Sequence, residues 1–483
     1  MDYLGLIGTL NSFKLCHHAK HLNSLLIMKI LLLFIAMTML SGCASYHARP
    51  LDLPSMAKAY EDRTLNSPAL QNYITANSGQ NVTPWPLETW GLKTLTLAAF
   101  YYSPDLDVAR AKWGTTRAAI TTAAQRPNPT LLLPFQYTAA SPWTVGQSPW
   151  TFGMGLDIPV ETAGKRGYRV AQATQLSDAA LFNIGNVAWQ VRSRLRATLL
   201  DLYAATRRVS ILARQTETQS QIVDMLKNRL TAGAVSALEV NRALITLIGN
   251  RTDLANAQKQ VQDARVRLAS AIGVPASALS SLNIRFDAFG HTYPDIESRD
   301  AHRLATLNRA DILSALAQYQ ASQSALQLQI ANQYPDVHLD PGYTWTQGED
   351  QISFGASGIA LPIFNHNQGQ IAQAEARRSE AEANVKSLQA QAFNETDSAL
   401  VNYHATLKNL SQGETLLSTQ RKQLASVQSL FNKGEVDRLA LALAQQAVYA
   451  SVLARQQALI QVQQAIGQFE DAMQHPLPRL VAR

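Results

Sequence analysis

The stretch Trp150-Thr151-Phe152-Gly153-Met154-Gly155-Leu156-Asp157-Ile158-Pro159-Val160, followed at once by Glu161-Thr162-Ala163-Gly164-Lys165-Arg166-Gly167, decides how this chain folds. Its first part alternates. Trp150, Phe152, Met154, Leu156, Ile158 and Val160 stand at every second position, separated by Thr151, Gly153, Gly155 and Asp157. Period two with large side chains on one face predicts a strand. At Lys165 the period changes. A proline-free stretch of Ala, Gln, Leu, Arg and Ser runs on to Thr231, a composition that helices tolerate. At 1.5 Å per residue it would reach roughly 100 Å. Gly233 then marks a turn, and a shorter helix returns. A helix of that length is not the core of a compact domain. It implies a coiled coil or a helical barrel with the glycine turn at its far tip.

The same order of elements occurs twice. Pro104-Asp105-Leu106 lies 206 residues before Ala310-Asp311-Ile312, and Pro129-Thr130-Leu131 lies at the same offset before Pro335-Asp336-Val337. Ile158-Pro159-Val160 answers Leu361-Pro362-Ile363, and Arg229 to Gly233 answers Leu430 to Gly434. Each copy opens with an Ala-rich amphipathic helix, 104–126 or 310–333, which Pro127 and Pro129, or Pro335, then stop. Two strands follow. Leu131, Leu133, Phe135 and Tyr137 alternate ahead of Trp150 in the first copy. Val337, Leu339, Tyr343 and Trp345, then Ile352, Phe354 and Ala356, alternate in the second. The long helix of the second copy is expected from about Gly369 to Asn432. Two readings of the strands stay open: lipid on one face and water on the other, or a hairpin packed on a soluble core. Their position between very long helices favours the first.

The expected organisation is an upstream extension with a signal segment (1–42), an anchored N-terminal segment (43–89), a first repeat (90–275), a linker (276–295), a second repeat (296–474) and a tail (475–483). Lys29 precedes a short apolar run from Leu31 to Leu40, which ends in Ser41-Gly42-Cys43, the order of a secretory signal. Leu40-Ser41-Gly42-Cys43 resembles the bacterial lipobox, which implies acylation of the Cys43 thiol. Met28 just before Lys29 suggests that residues 1–27 are an upstream extension; Cys16 would then be absent from the mature chain. The signal's apolar run is too short to span a bilayer, and beyond it no apolar stretch reaches the ~18 residues a membrane helix needs. A membrane-spanning role therefore falls to the strands.

Taken together, the lipobox, the duplicated unit, the Pro-marked strands and the Gly-marked turns resemble TolC-type outer-membrane channel proteins. The segment from Ile158 to Gly167, with Arg169 after it, is similar to the strand exit of the CzcC-like heavy-metal efflux branch. Leu361-Pro362-Ile363-Phe364-Asn365-His366-Asn367-Gln368-Gly369 is its counterpart, of a kind common across the wider family. The resemblance implies a mainly helical fold with β-strands. It also implies a homotrimer, in which each subunit lends four strands to a shared transmembrane barrel of about twelve and its helices to a periplasmic α-barrel. The implied partners are a periplasmic adaptor (membrane fusion) protein, an inner-membrane pump of the RND type and outer-membrane lipid. The implied function is a passive duct exporting metal cations or small toxic compounds. The rival is a lipid-tethered periplasmic coiled-coil scaffold without a pore.

In that family the tips, here Gly233 to Glu239 and Gly434 to Leu439, meet the adaptor and form the gated end. Some members place acids six and nine residues after the second-repeat glycine. Here those positions are Ala440 and Leu443, while Glu239 stands six after Gly233. Three copies of Glu239 would form a cation-favouring ring; alternatively it is one exposed helix glutamate. The strand-exit residues Pro159, Gly164, Lys165, Arg166 and Pro362 are the other candidates. Lys165, Arg166 and Arg169 would lie near lipid headgroups, line the pore, or simply solvate a helix.

Other chemistry is not signalled. His47, His291, His302, His338, His366, His404 and His475, with Met56, Met154, Met225 and Met473, form no soft-metal ligand spacing, so no metal site is expected. No phosphate loop, nucleophile elbow or HExxH motif occurs, so neither an enzyme nor a bound cofactor is expected. Net charge is +7, but the basic residues are spread along helices rather than clustered with aromatics, which argues against nucleic acid.

Overall fold

The computed structural model describes residues 44–79, 83–139, 148–280, 282–290, 297–346 and 348–477. The lipobox with Cys43, and His291, lie outside them. The chain divides into two compact units, Met1–Ala59 and Tyr60–Arg483. Of the first, residues 44–52 are without regular structure and helix α1 (Leu53–Glu61) begins.

The second unit holds everything else. In order come α2 (Pro68–Ser78), α3 (Leu92–Tyr102), α4 (Pro104–Ala124), β1 (Thr130–Leu132), β2 (Phe135–Tyr137), β3 (Trp150–Val160), α5 (Lys165–Thr231) and α6 (Ala237–Ile272). Then follow α7 (Ser298–Asn308), α8 (Ala310–Ala331), β4 (Val337–Thr346), β5 (Glu349–Ser357), α9 (Gln368–Asn432) and α10 (Arg438–Met473). The two long helices have 67 and 65 residues, and the two returning helices 36 each, as a duplicated design requires.

Local chemistry sets the ends. Ser103 caps α4 by accepting from the Leu106 N–H at 3.3 Å, with Pro104 in the first turn. Both long helices close on a left-handed glycine, Gly233 at φ +72° and Gly434 at φ +73°. In both, the N–H three residues past the helix reaches back five residues: Ala234 to the Arg229 carbonyl at 2.8 Å, Glu435 to the Leu430 carbonyl at 2.9 Å. The returning helices start on Ser236 and Asp437, whose side chains accept from the N–H of Glu239 and Ala440.

Three apolar clusters hold the helices together. The largest joins Trp90 and Leu95 to Leu195 and Leu199 of α5, Leu268 and Ile272 of α6, and Phe289. Residues 276–290, read from the sequence as part of a linker, thus contribute buried Leu279, Ala288 and Phe289. A second cluster joins α7, α9 and α10 around Tyr403, Ile466 and Phe469. The third lies near the turn of the first hairpin, where Ile222, Val223 and Leu226 meet Val240, Ala243 and Leu247. Side by side, α6 packs on α5, α5 on α10, and α10 on α9.

The strands differ from expectation in two places. The alternation from Leu131 to Tyr137 predicts one strand, but it is broken into β1 and β2. Pro134 has no N–H to give; its carbonyl accepts from Gly153 N–H at 2.8 Å. A Cβ on Gly153 would sit 2.5 Å from the Pro134 ring, so this crossing demands glycine. The second difference is at the strand exits. Ile158, Pro159 and Val160 pair with Leu339, His338 and Val337, whereas β5 ends at Ser357 and Leu361-Pro362-Ile363 is not in a strand.

Candidate functional site: the exposed sheet and the helical tips

All strands pair antiparallel in one sheet, in the order β1–β3–β4–β5, with β2 beside β1 on the outer side of β3. Directly opposed residues share a face. One face therefore carries Phe135, Phe152 and Trp345, Met154, Tyr343 and Ile352, and Leu156. The other carries Gln136 and Thr151, Thr344 and Gln351, Ser353, Asp157, Asp340 and His338. The apolar face is open: Met154 is 57% exposed, Phe354 83% and Ile352 86%. No described element packs on these side chains, which removes the reading of a hairpin on a soluble core. Aromatic rings gather at the end of the sheet far from the helices. Phe135 and Trp150 are 5.0 Å apart, Tyr137 and Trp150 4.7 Å, Phe152 and Trp345 5.8 Å. A contiguous apolar surface ending in an aromatic cluster is what a bilayer solvates and water does not. Among the described residues the outer edges of β1, β2 and β5 have no partner strand.

Where strand passes to helix, the basic residues are tied to protein rather than free in solvent. Lys165 Nζ donates to Asp336 Oδ1 and to the Tyr334 carbonyl, each at 2.7 Å, and its side chain is only 9% exposed. Thr162 N–H donates to the same Asp336 oxygen at 3.0 Å. Burial alone would raise the Asp336 pKa, but the bonds from Lys165 and Thr162 outweigh it and hold the carboxyl below its ordinary range. Arg166 Nε donates to the Ala124 carbonyl at 2.6 Å, closing the end of α4, and Arg169 pairs with Glu161. Gly164 makes the approach possible at φ +72°. In the second repeat Asn367, at φ +61°, does the work of Arg166: its Nδ2 donates to the Gln329 carbonyl at 2.7 Å. Pro362, half-buried there, has exposed Leu361, Ile363 and Phe364 around it.

At the other end of the long helices, roughly 100 Å away, the tip residues fall in two groups. Gly233 and Glu239 are exposed, and Glu239 is the third residue of α6, close to the Ser236 cap. Gly434 is exposed and Leu439 is half-buried against the third apolar cluster. The tips are joined by an ion pair that sequence reading missed, Arg229 at the end of α5 with Asp437 at the start of α10. Its signal was present: an acid at the cap position of the second returning helix, where the first has Ser236. Asp437 is held below its ordinary pKa by the Ala440 N–H first and Arg229 second. Farther along the same two helices, Gln446 Nε2 donates to the Gln215 carbonyl at 2.9 Å.

Sequence reading also missed a polar crossing of α5 and α10. Arg196 Nη1 donates to the Gln463 carbonyl at 2.9 Å, and Glu470 takes Arg192 at 3.0 Å and Arg196 at 3.5 Å. Gly467 allows it: a Cβ there would lie 2.5 Å from Arg196 Nη1. Asp471 accepts from Trp189 and Ser193, yet burial raises its pKa. No group of three or more metal-ligating side chains assembles among the described residues, and no described helix is long and apolar enough to cross a membrane.

A lipid-facing sheet set on paired helices of this length defines an outer-membrane channel subunit. The family described as outer membrane efflux protein matches residues 98–274 and 302–473, one segment for each repeat, and the chain belongs to that family. It is 24% identical over 367 residues to the cobalt-zinc-cadmium resistance protein CzcC of Cupriavidus metallidurans, covering 74% of this chain and 81% of that one. It is 24% identical over 474 residues to the pyoverdine export outer membrane protein OpmQ of Pseudomonas aeruginosa, covering 91% and 97%. The fold is similar to that of the outer membrane protein VceC of Vibrio cholerae, with a TM-score of 0.64 at 18% identity over 80% of this chain and 97% of that one. The chain is thus an outer-membrane efflux channel protein, and its fold and family are those of channels.

Proposed function

We propose that three copies of this chain, each lipid-anchored at Cys43, close one barrel and form a passive duct. The duct docks through its tips to a periplasmic adaptor and, through it, to an inner-membrane pump of the RND type. The observation that carries this reading is the sheet: apolar and exposed on one face, polar on the other, with both edges unpaired among the described residues. In a bilayer an unpaired edge leaves backbone N–H and C=O groups unsatisfied, at several kcal/mol each, so one copy alone is not stable there. Pairing β5 and the Leu361–Phe364 stretch of one copy with β1 and β2 of the next removes every edge. The scaffold reading has no use for an exposed apolar sheet.

The cargo is a metal cation or a small toxic compound. What supports this is that one relative is named for cobalt, zinc and cadmium resistance and another for export of an organic molecule, pyoverdine. Two measurements test the proposal. Purified protein in detergent should run as a trimer and conduct in planar bilayers; a monomer without conductance would sink the duct. A deletion strain sensitive to divalent metals alone supports the metal branch, and one sensitive only to organic toxicants assigns the cargo to the other class.

A further inference from the structure

The polar face of the sheet is the one that the duct would turn to its water-filled lumen, and its ionisable residues are one-sided. The pairing puts Asp157, His338, Asp340 and Glu349 on that face, with no Lys or Arg among its described residues. The register that pairs Gly155 with Gly342 and Ile158 with Leu339 sets Asp157 directly opposite Asp340. Like charges opposed in this way destabilise a sheet. Gly155, Gly342 and Gly355 around them on the same face have no side chain to screen them. The fold gains nothing from this placement; ions passing over the face would feel it.

His338 bears on one of the two acids. Its Nδ1 lies 2.7 Å from Asp157 Oδ1, and because a carboxylate only accepts, the imidazole donates. The two side chains are 37% and 31% exposed, so the pair is open to the lumen side. The other groups facing His338 leave it free to act on Asp157. Asp336, two residues ahead, already holds Lys165 and the Thr162 N–H. Asp340 is two residues on, Pro159 lies opposite on β3, and the β5 residues opposite His338 and Asp340 are Ser357 and Gly355, neither of them charged. Imidazole is the side chain that ordinarily changes charge between about pH 5 and 8. When it is neutral, Asp157 and Asp340 act as two negative charges per copy; when it is protonated, it offsets one of them.

We propose that His338 makes the ion selectivity of the barrel depend on pH, favouring cations while it is neutral and losing that preference as it is protonated. The proposal rests on the duct reading. It is distinct from a carboxylate ring at the tips, because carboxylates ordinarily titrate near about pH 4 and would not respond over this range.

The test is the reversal potential of the full-length protein in planar bilayers under a potassium chloride gradient, at about pH 7.5 and about pH 5.5. The potassium-to-chloride permeability ratio should fall about twofold or more at the lower pH, as expected for neutralising a charge a few ångströms from the ion path. His338→Gln should hold the higher ratio at both pH values. His338→Lys, charged throughout, should show the lower ratio at both. Asp340→Asn should lower the ratio at the higher pH and keep the pH response, since it leaves the His338–Asp157 pair in place. A ratio that does not change with pH in the normal chain, or a pH response that survives in H338Q, overturns the proposal and leaves the duct standing. Absence of any conductance overturns both.

Discussion

The two helical hairpins are nearly equal in length and unequal in how they close. Near its glycine turn the α5–α6 hairpin buries Ile222, Val223 and Leu226 against Val240, Ala243 and Leu247. Over the same distance from its own turn the α9–α10 hairpin buries only Ala442, and Ala442 belongs to the first hairpin's cluster. Above that point a groove of about 760 Å³ opens between α9 and α10, lined by Leu417, Arg421 and Arg455 among others. Duplication copied the backbone plan, and the side chains then diverged. One hairpin became a post that stands by its own core. The other is held at its tip by contacts borrowed from the post: the Arg229–Asp437 pair, the Gln446 bond to Gln215, and Ala442. The second tip is thus tied to the first by few contacts, while the first hairpin packs on its own apolar residues.

The largest effect that would sharpen this contrast is in the post. Ile222→Ala removes a side chain that is 3% exposed, and large-to-small changes at such sites cost about 2–5 kcal/mol. Leu424→Ala, near the corresponding level of α9 but only partly buried, should cost under about 1.5 kcal/mol. Apparent unfolding temperatures in detergent compare them; equal losses would erase the distinction.

Next comes the cap. Asp437→Ala removes both the α10 cap and the acid of the inter-hairpin pair, at about 1 kcal/mol for the cap. Protease cleavage should then appear first in the second tip. The same group gives a pH dependence. Its folded pKa is depressed, so its stabilisation is complete above the unfolded value of about 3.9 and is lost as pH falls through the lower folded value. Tip cleavage should therefore rise only in acid below about pH 4.

A smaller effect is expected from Arg229→Gln. The partners are 35% and 51% exposed, and such pairs are worth about 1 kcal/mol or less. Unfolding temperature should barely move while single-channel open time increases; an unchanged open time would show that the pair does not hold the tip. Smallest of all for stability is Glu239→Gln, since the Ser236 cap uses the Glu239 backbone N–H and the return bond from Ser236 Oγ to the Glu239 carboxylate is long, at 3.5 Å. Any reduction in cation selectivity would then belong to the acidic ring, and an unchanged trace would leave Glu239 as a surface residue.

Much of this was legible in the chain itself. Helix lengths and turns followed from proline-free runs and from Gly233 and Gly434, because a helix end is a local matter. The strand faces followed from period two. What period two could not show was what lay against the apolar face; that needed the exposures of Ile352 and Phe354. The break at Pro134 was visible as a proline but not as a crossing, because Gly153, its partner, lies across the loop. The roles of Lys165, Arg166 and Arg229 were hidden for the same reason. Each bonds a group 40 to 210 residues away, as with Arg166 and Ala124 or Arg229 and Asp437, and no sequence window brings such pairs together.

The unpaired strand edges have a genetic consequence. If the barrel is closed by three copies, each edge must be completed by a neighbour, and a copy that inserts but cannot pair spoils every barrel it enters. A proline placed on the free edge of β5 would make such a copy. In a cell making it and the normal chain in equal amounts, only about one barrel in eight would be wholly normal. Defects in this edge should therefore be dominant, whereas loss of the whole chain should be recessive.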